Sequence, residues 1–263
     1  APTAPDELRQ LGWTGTESTE LLWALSRAPD ADLALRTLAR LHDALGDGWA
    51  ELVAALRTDK GLRGRLFGLF GGSSALGDHI VAHPERWRDL AGALHLPDRR
   101  TLTERMLGCV DAEPEAGTGE NRLIYRAKIT GPAAVAALRT GYRDQLALLA
   151  AADLAAVVEN EPVLPYLEVG QRLADLADAA LTAALAVAVA NVVTDGPCPV
   201  DLAVIAMGKC GARELNYVSD VDVVFVAEPS DARASRIAGE MMRIGTSAFF
   251  EVDAALRPEG KRG

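Results

Sequence analysis

Asp220 and Asp222 stand two residues apart at the head of an apolar run, VDVVFVA over residues 221–227. Side chains alternate faces along an extended strand, so both carboxylates are expected on one face. A third, Asp253, interrupts the stretch FFEVDAAL, where an unpaired carboxylate among apolar neighbours is costly to bury. Three carboxylates within ~4–6 Å repel by roughly 3–4 kcal/mol per close pair at an effective dielectric of about 20, so a cation is expected among them. Oxygen-only ligands select hard ions, which makes Mg²⁺, or Mn²⁺, the expected cofactor, bridging to substrate phosphates. Upstream, Gly208, Lys209 and Gly211 directly follow another apolar run. A glycine turn there lets backbone N–H groups approach phosphate oxygens, and Lys209 adds positive charge. These parts together describe a site for phosphoryl or nucleotidyl transfer, where metal ions clamp the attacking and leaving oxygens. Singly they are weak: Asp-x-Asp recurs by chance, the pair can be a solvated strand end, and Asp253 can form a salt bridge to Arg257.

The elements that position these groups lie at the end of a helical chain. Residues 6–105 repeat apolar side chains near a period of 3.6, as in Leu35, Leu38, Leu41 and Leu45. Residues 111–121, DAEPEAGTGEN, carry no such pattern and are expected to be a surface loop. Long helices are expected over residues 133–149 and 170–193, and no strand anywhere between residues 7 and 193. The prolines and glycine of TDGPCP then stop the helix, and residues 200–207 form an apolar, β-branched strand. A second strand over 221–227, an amphipathic helix over 231–248 and a third strand over 249–256 complete the order. The chain is thus expected to be mainly α with a C-terminal α/β portion: a helical domain over 1–195, then a mixed-sheet domain over 196–263.

Composition narrows the function classes. With 37 acidic against 27 basic residues in 263, the net charge of −10 repels a phosphate backbone and excludes a nucleic acid partner. The most apolar window, residues 181–193, is shorter than the ~20 residues a membrane span needs. It is expected to be a buried helix, with no membrane partner. Three widely spaced cysteines and an N-terminus without a basic and apolar leader fit a cytoplasmic protein with reduced thiols. His79 and His83, four apart, are read as surface or capping residues, and the GGSS run at 71–74 as a helix N-cap. Trp13, Trp23, Trp49 and Trp87 are read as core or interface anchors.

The run Ala206-Met-Gly208-Lys209-Cys210-Gly211-Ala212-Arg-Glu214-Leu215, closing on Ser219-Asp220-Val-Asp222, resembles a known motif. It is similar to the G-x-G-K-L-G-G-x-E-L-x-x-x-S-D-x-D segment of the bifunctional glutamine synthetase adenylyltransferase/adenylyl-removing enzyme family, within the polymerase-beta-like nucleotidyltransferase superfamily. VDAALRPEGKRG resembles the family's V-D-x-x-L-R-P-x-G-x-x-G segment, and GGSSALGDHIVAHPERWRDL its helical region. The resemblance implies an incomplete nucleotidyltransferase palm, truncated at its C-terminal end, with Asp220, Asp222 and Asp253 as catalytic metal ligands. Gly208, Lys209, Gly211, Ser219 and Arg257 are the implied nucleotide- and phosphate-binding residues. It further implies that AMP is removed from a tyrosine of glutamine synthetase by phosphorolysis, releasing ADP, under a PII-type signalling protein. The opening LRQLGWTGTESTELL and the Glu-Leu-Asn before Ser219-Asp220 look like the family's first, adenylyl-removing half. The alternatives are ATP-dependent attachment of AMP to glutamine synthetase, or a non-catalytic partner-binding module. Ala206 and Ala212 replace motif glycines, which requires negative φ at both.

Overall fold

The computed structural model describes residues 3–115 and 123–254. Residues 1–96 with 146–165 form one compact unit, and residues 97–145 with 166–263 a second. The boundary between units therefore does not fall at the change in composition near residue 196. The reason lies in packing: residues 97–145 and 166–195 belong to the same compact unit as the sheet that follows.

The first unit contains α1 (Ala4–Gln10), α2 (Thr19–Leu25), α3 (Ala31–Leu45), α4 (Trp49–Thr58), α5 (Lys60–Gly72) and α6 (Ser74–Ala82). Side-chain caps set several starts: Asp30 accepts from the Leu33 N–H, Asp59 from Leu62 and Ser73 from Leu76. The GGSS run is thus an N-cap, as expected. Leu35, Leu38 and Leu41 bury one face of α3, while Trp13 stacks on Trp49 with ring centroids 6.0 Å apart and meets Phe67 at 6.1 Å. Trp87 is also buried, whereas Trp23 is 69% exposed. His79 is buried, not a surface histidine, and its ring lies 4.9 Å from that of His83.

One ion pair inside this unit is largely shielded from solvent on both sides. Arg63 is buried on α5, where its Nε donates to Glu159 Oε1 at 2.5 Å and its Nη1 to the Leu56 carbonyl at 3.1 Å. Glu20 approaches the same guanidinium at 3.7 Å but is itself largely exposed.

The second unit is organised around a helix. It begins with α7 (Arg99–Gly108), β1 (Glu113–Glu115) and β2 (Ile124–Arg126). Next, α8 (Gly131–Val158) gives its first part to this unit and its last part to the other, and α9 (Tyr166–Val192) follows. Leu173, Ala177, Ala180, Ala184 and Val187 of α9 are buried, and α7 and α11 (Ala232–Ala248) both pack on it. By length and apolarity α9 can cross a bilayer, yet 72% of its most apolar window is buried inside the protein. It is a core helix, as its alanines allow: small side chains let neighbouring elements approach closely.

The remaining elements are β3 (Asp201–Ala206), α10 (Gly208–Gly211), β4 (Val221–Glu228) and β5 (Val252–Asp253). The sheet order is β3-β4-β5, with β3–β4 antiparallel and β4–β5 parallel, so the sheet is mixed. A parallel neighbour demands a crossover. Here α11 provides it, capped by Asp231, which accepts from the Arg233 and Ala234 N–H groups, and buried through Ile237, Met241 and Ile244.

Two expectations need correction. The stretch expected to be a strandless loop contains β1, which pairs antiparallel with β2. Its strands are three residues long and held by charge, with Glu115 accepting from Arg126 and Glu113 from Lys128. No apolar alternation marks them, so periodicity gives no sign of them. The third strand is also shorter than residues 249–256 within the described residues, because Phe249 and Phe250 instead pack on Tyr142 at ring centroid distances of 5.1 and 5.8 Å.

All four tryptophans of this chain lie in the first unit, so their fluorescence during urea unfolding reports on it selectively. Glu159→Gln leaves the buried Arg63 charge without its close partner and is expected to destabilise this unit by about 3 kcal/mol. Glu20→Gln, removing an exposed and distant carboxylate, is expected to change it by no more than ~0.5 kcal/mol.

Candidate active site

The end of β3 and the start of β4 build one corner. The Met207 N–H donates to the Asp222 carbonyl at 2.8 Å, tying the chain leaving β3 to the chain entering β4. Gly208 follows with φ +54, and a Cβ on it would lie 2.7 Å from Asp222 Oδ2. Glycine suits the position: the backbone is left-handed, and any side chain would have to displace the Asp222 carboxylate. A Cβ on Gly211 would come within 2.4 Å of the Ala206 carbonyl oxygen. The turn is thus pressed against strand backbone on one side and a carboxylate on the other. Ala212, where the motif has glycine, has φ −75, which alanine adopts without strain. The left-handed position falls on Arg213 instead, with φ +61.

Strand register positions the acids. In the parallel β4–β5 pair, Asp222 lies opposite Asp253 and Val221 opposite Val252. Both valines are buried, so the two aspartates share the opposite face. Val224 and Val226 continue that face on β4, and their β3 partners are Ile205 and Ala203. It is open to solvent, with Ile205 46% and Val226 54% exposed. Asp220 is exposed and precedes the first residue of β4, so strand alternation does not fix its direction. Ser219 is half-buried before it, and Lys209 is exposed on α10. Arg257 lies outside the described residues.

The donor chemistry bears on a cation. Among the described residues, no group of three or more His, Cys, Asp or Glu side chains is placed to hold a metal ion. Two carboxylates side by side nevertheless suit Mg²⁺, which is bound through one or two carboxylates with water and substrate phosphates, not by an all-protein cage. Asp222 and Asp253 are the residues so placed.

Behind the sheet lies a cavity of ≈ 500 Å³, walled by Leu202 and Val204 of β3, Leu181 and Leu185 of α9, and Cys210 of α10. Burial pushes the Cys210 thiol up to about 11, and the Asp178 charge adds to this. At the cavity edge four charged side chains meet. Arg213 donates to Asp175 and to the Gln171 carbonyl, and Arg99 lies 3.0 Å from Asp178. Burial raises the Asp178 carboxyl above the usual carboxylate range, against the pull of Arg99 and Arg213. This cluster is absent from the sequence reading. Asp175 and Asp178, one turn apart at the start of the apolar part of α9, are the signal that points to it.

Comparison with known proteins now bears on these residues. The family model described as "Glutamate-ammonia ligase adenylyltransferase" matches residues 100–263, which include the whole corner and every candidate site residue. A bifunctional glutamine synthetase adenylyltransferase/adenylyl-removing enzyme of Nocardia farcinica is 68% identical over 262 residues. Proteins of the same description from Mycobacterium bovis and Mycolicibacterium smegmatis are 57% and 55% identical. All three matches cover the whole of this chain, which spans only about a quarter of each relative's length (25–26%). By the extent of that family match, the chain belongs to the glutamate-ammonia ligase adenylyltransferase family.

Proposed function

We propose that this chain carries the adenylyl-removing site of a glutamine synthetase adenylyltransferase, a nucleotidyltransferase palm whose reaction is phosphorolysis of a tyrosyl-AMP bond. The observation that carries this reading is the register of Asp222 with Asp253 on an open sheet face, with the Gly208 turn against the Asp222 carboxylate. Glutamine synthetase is the substrate protein, following the description the relatives carry. A PII-type protein is the proposed regulator, and the setting is cytoplasmic.

In phosphorolysis an orthophosphate oxygen bonds to the α-phosphorus, the bond from phosphorus to the tyrosine oxygen breaks, and ADP departs while the phenolate takes up a proton. Asp222 and Asp253, with Asp220 at the rim, would hold Mg²⁺ or Mn²⁺. When bound, the ion neutralises charge on the reacting phosphate oxygens. The chain's own part is binding and orientation. In this reading the backbone N–H groups of the glycine turn at Gly208 and Lys209 approach the phosphate oxygens. Lys209 adds a charge beside them, and Ser219 and Arg257 are further phosphate-binding residues that the family resemblance implies. The apolar strip of Ile205, Val224 and Val226 offers a surface for a flat apolar group next to the carboxylates. The same geometry would serve the attaching reaction, ATP-dependent transfer of AMP to the tyrosine. Product analysis separates the two, since removal consumes phosphate and releases ADP, whereas attachment consumes ATP and releases pyrophosphate.

The test is phosphate-dependent ADP release from adenylylated glutamine synthetase, assayed with the full polypeptide. Asp222→Asn or Asp253→Asn is expected to lower the rate by at least ~10²-fold with an unchanged circular dichroism spectrum, since each removes charge from the reacting centre. Lys209→Ala is expected to cost about tenfold, because a flexible ammonium adds charge without fixing geometry. Chelation of divalent ions should abolish the reaction, and Mg²⁺ or Mn²⁺ should restore it. A well-folded Asp222→Asn protein with normal ADP release removes these carboxylates from the mechanism.

Gly208→Ala tests the turn separately. Its methyl group must displace the Asp222 carboxylate and accept a left-handed φ, so activity should fall about as far as in Asp222→Asn while the far-UV spectrum stays unchanged. Normal activity in this variant would show that the turn does not set the Asp222 position.

A further inference from the structure

The turn that carries Gly208, Lys209 and Gly211 is a single short helical turn, and a side chain just after it ties it to another element. Its internal backbone bonds run from the Gly211 N–H to the Met207 carbonyl at 2.9 Å, Ala212 to Gly208 at 3.0 Å, Arg213 to Cys210 at 3.1 Å and Glu214 to Lys209 at 2.8 Å. Directly after it, Arg213 adopts a left-handed backbone that a residue with a Cβ rarely takes. That conformation sends its side chain across to α9. There the guanidinium donates to the Asp175 carboxylate and to the Gln171 carbonyl, the latter at 3.3 Å, with Asp178 at 3.6 Å.

Asp175 and Asp178 are three residues apart and share one face of α9. Their side chains are largely buried, and Arg99 of α7 approaches them at 3.8 and 3.0 Å. Two arginines and two aspartates cancel in charge, so the cluster presents no net field to an anion. What it transmits is position, because a planar guanidinium fork fixes direction where a point charge does not. Gly170, near the start of α9, lies close to the Glu214 backbone, where a Cβ would meet Glu214 Cα at 3.2 Å.

The geometry points to Arg213 as a positioning residue that pins the phosphate turn to α9 through Asp175 and Asp178, holding Lys209 and the Gly208 N–H against the Asp222–Asp253 pair. The assignment rests on the nucleotidyl-transfer reading of that corner. A turn released from α9 keeps its residues but loses their placement, and a displacement of about 1 Å can cost ~10²-fold in rate.

Arg213→Gln, Arg213→Lys, Asp175→Asn and the double variant Arg213→Gln/Asp175→Asn, made in the full polypeptide, test this. Two quantities are read: the kinetics of ADP release, and the rate at which iodoacetamide alkylates Cys210, followed by peptide mass spectrometry. Cys210 sits inside the turn and is buried, so its labelling reports turn opening independently of activity. In Arg213→Gln, kcat is expected to fall between ~10- and 100-fold, with a raised KM for phosphate and an unchanged KM for adenylylated glutamine synthetase. Arg213→Lys should recover only part of the rate, since a point charge does not fix direction; the double variant should be no worse than the poorer single one, and Cys210 should label faster in Arg213→Gln. A purely structural role would lower kcat in proportion to the folded protein lost and leave both KM values alone. That result, or unchanged kinetics and labelling in a folded Arg213→Gln, overturns the assignment. If the unsubstituted protein releases no ADP, the functional reading fails. The labelling rates then decide alone whether Arg213 pins the turn.

Discussion

The register of β4 with β5 is the constraint on which the rest of the site depends. Parallel pairing sets Asp222 beside Asp253 and turns both away from the buried Val221 and Val252. A slip of one residue would carry the valines to solvent and the carboxylates into the core, so burial of two valines fixes the direction of two acids. Parallel pairing in turn needs α11, and α11 needs the apolar face of α9 to pack on. The carboxylate pair is thus the last link of a chain of packing that begins in an alanine-rich helix.

The two glycines of the turn add a second constraint. Gly208 is the point where any side chain would have to displace the Asp222 carboxylate, and Gly211 is the point where the turn meets the β3 carbonyl. A turn compressed in this way has little freedom along the sheet. Its freedom to swing away from the sheet is limited from outside, by Arg213 and the aspartates of α9. Acids, turn and strap therefore come from three separate stretches of sequence that share one compact unit.

Much of this was legible in the sequence. Apolar β-branched runs mark β3 and β4, the amphipathic pattern over 231–248 marks α11, and the spacing of Gly208, Asp222 and Asp253 marks the corner where the structure brings Gly208 and Asp222 together and sets Asp222 opposite Asp253. What escaped is governed by contacts between distant residues or by charge. The β1–β2 ribbon rests on Glu113, Glu115, Arg126 and Lys128, which show no apolar period. The strap joins residues about forty apart, and nothing in the local pattern of Arg213 announces its left-handed backbone. The compact units follow shared cores, and composition alone does not reveal that α7 and α9 belong with the sheet. Asp220 shows the limit of alternation, which applies only inside a strand that begins one residue later.

The central claim is that Asp222 and Asp253 together bind the ion that serves the phosphate. The most direct measurement is anomalous diffraction from crystals of the full polypeptide grown with Mn²⁺ and ADP. The account predicts a manganese peak at the Asp222 and Asp253 carboxylates, next to the phosphates of ADP. A manganese peak elsewhere, or an Asp253 carboxylate turned away from an ion held by other residues, would contradict it.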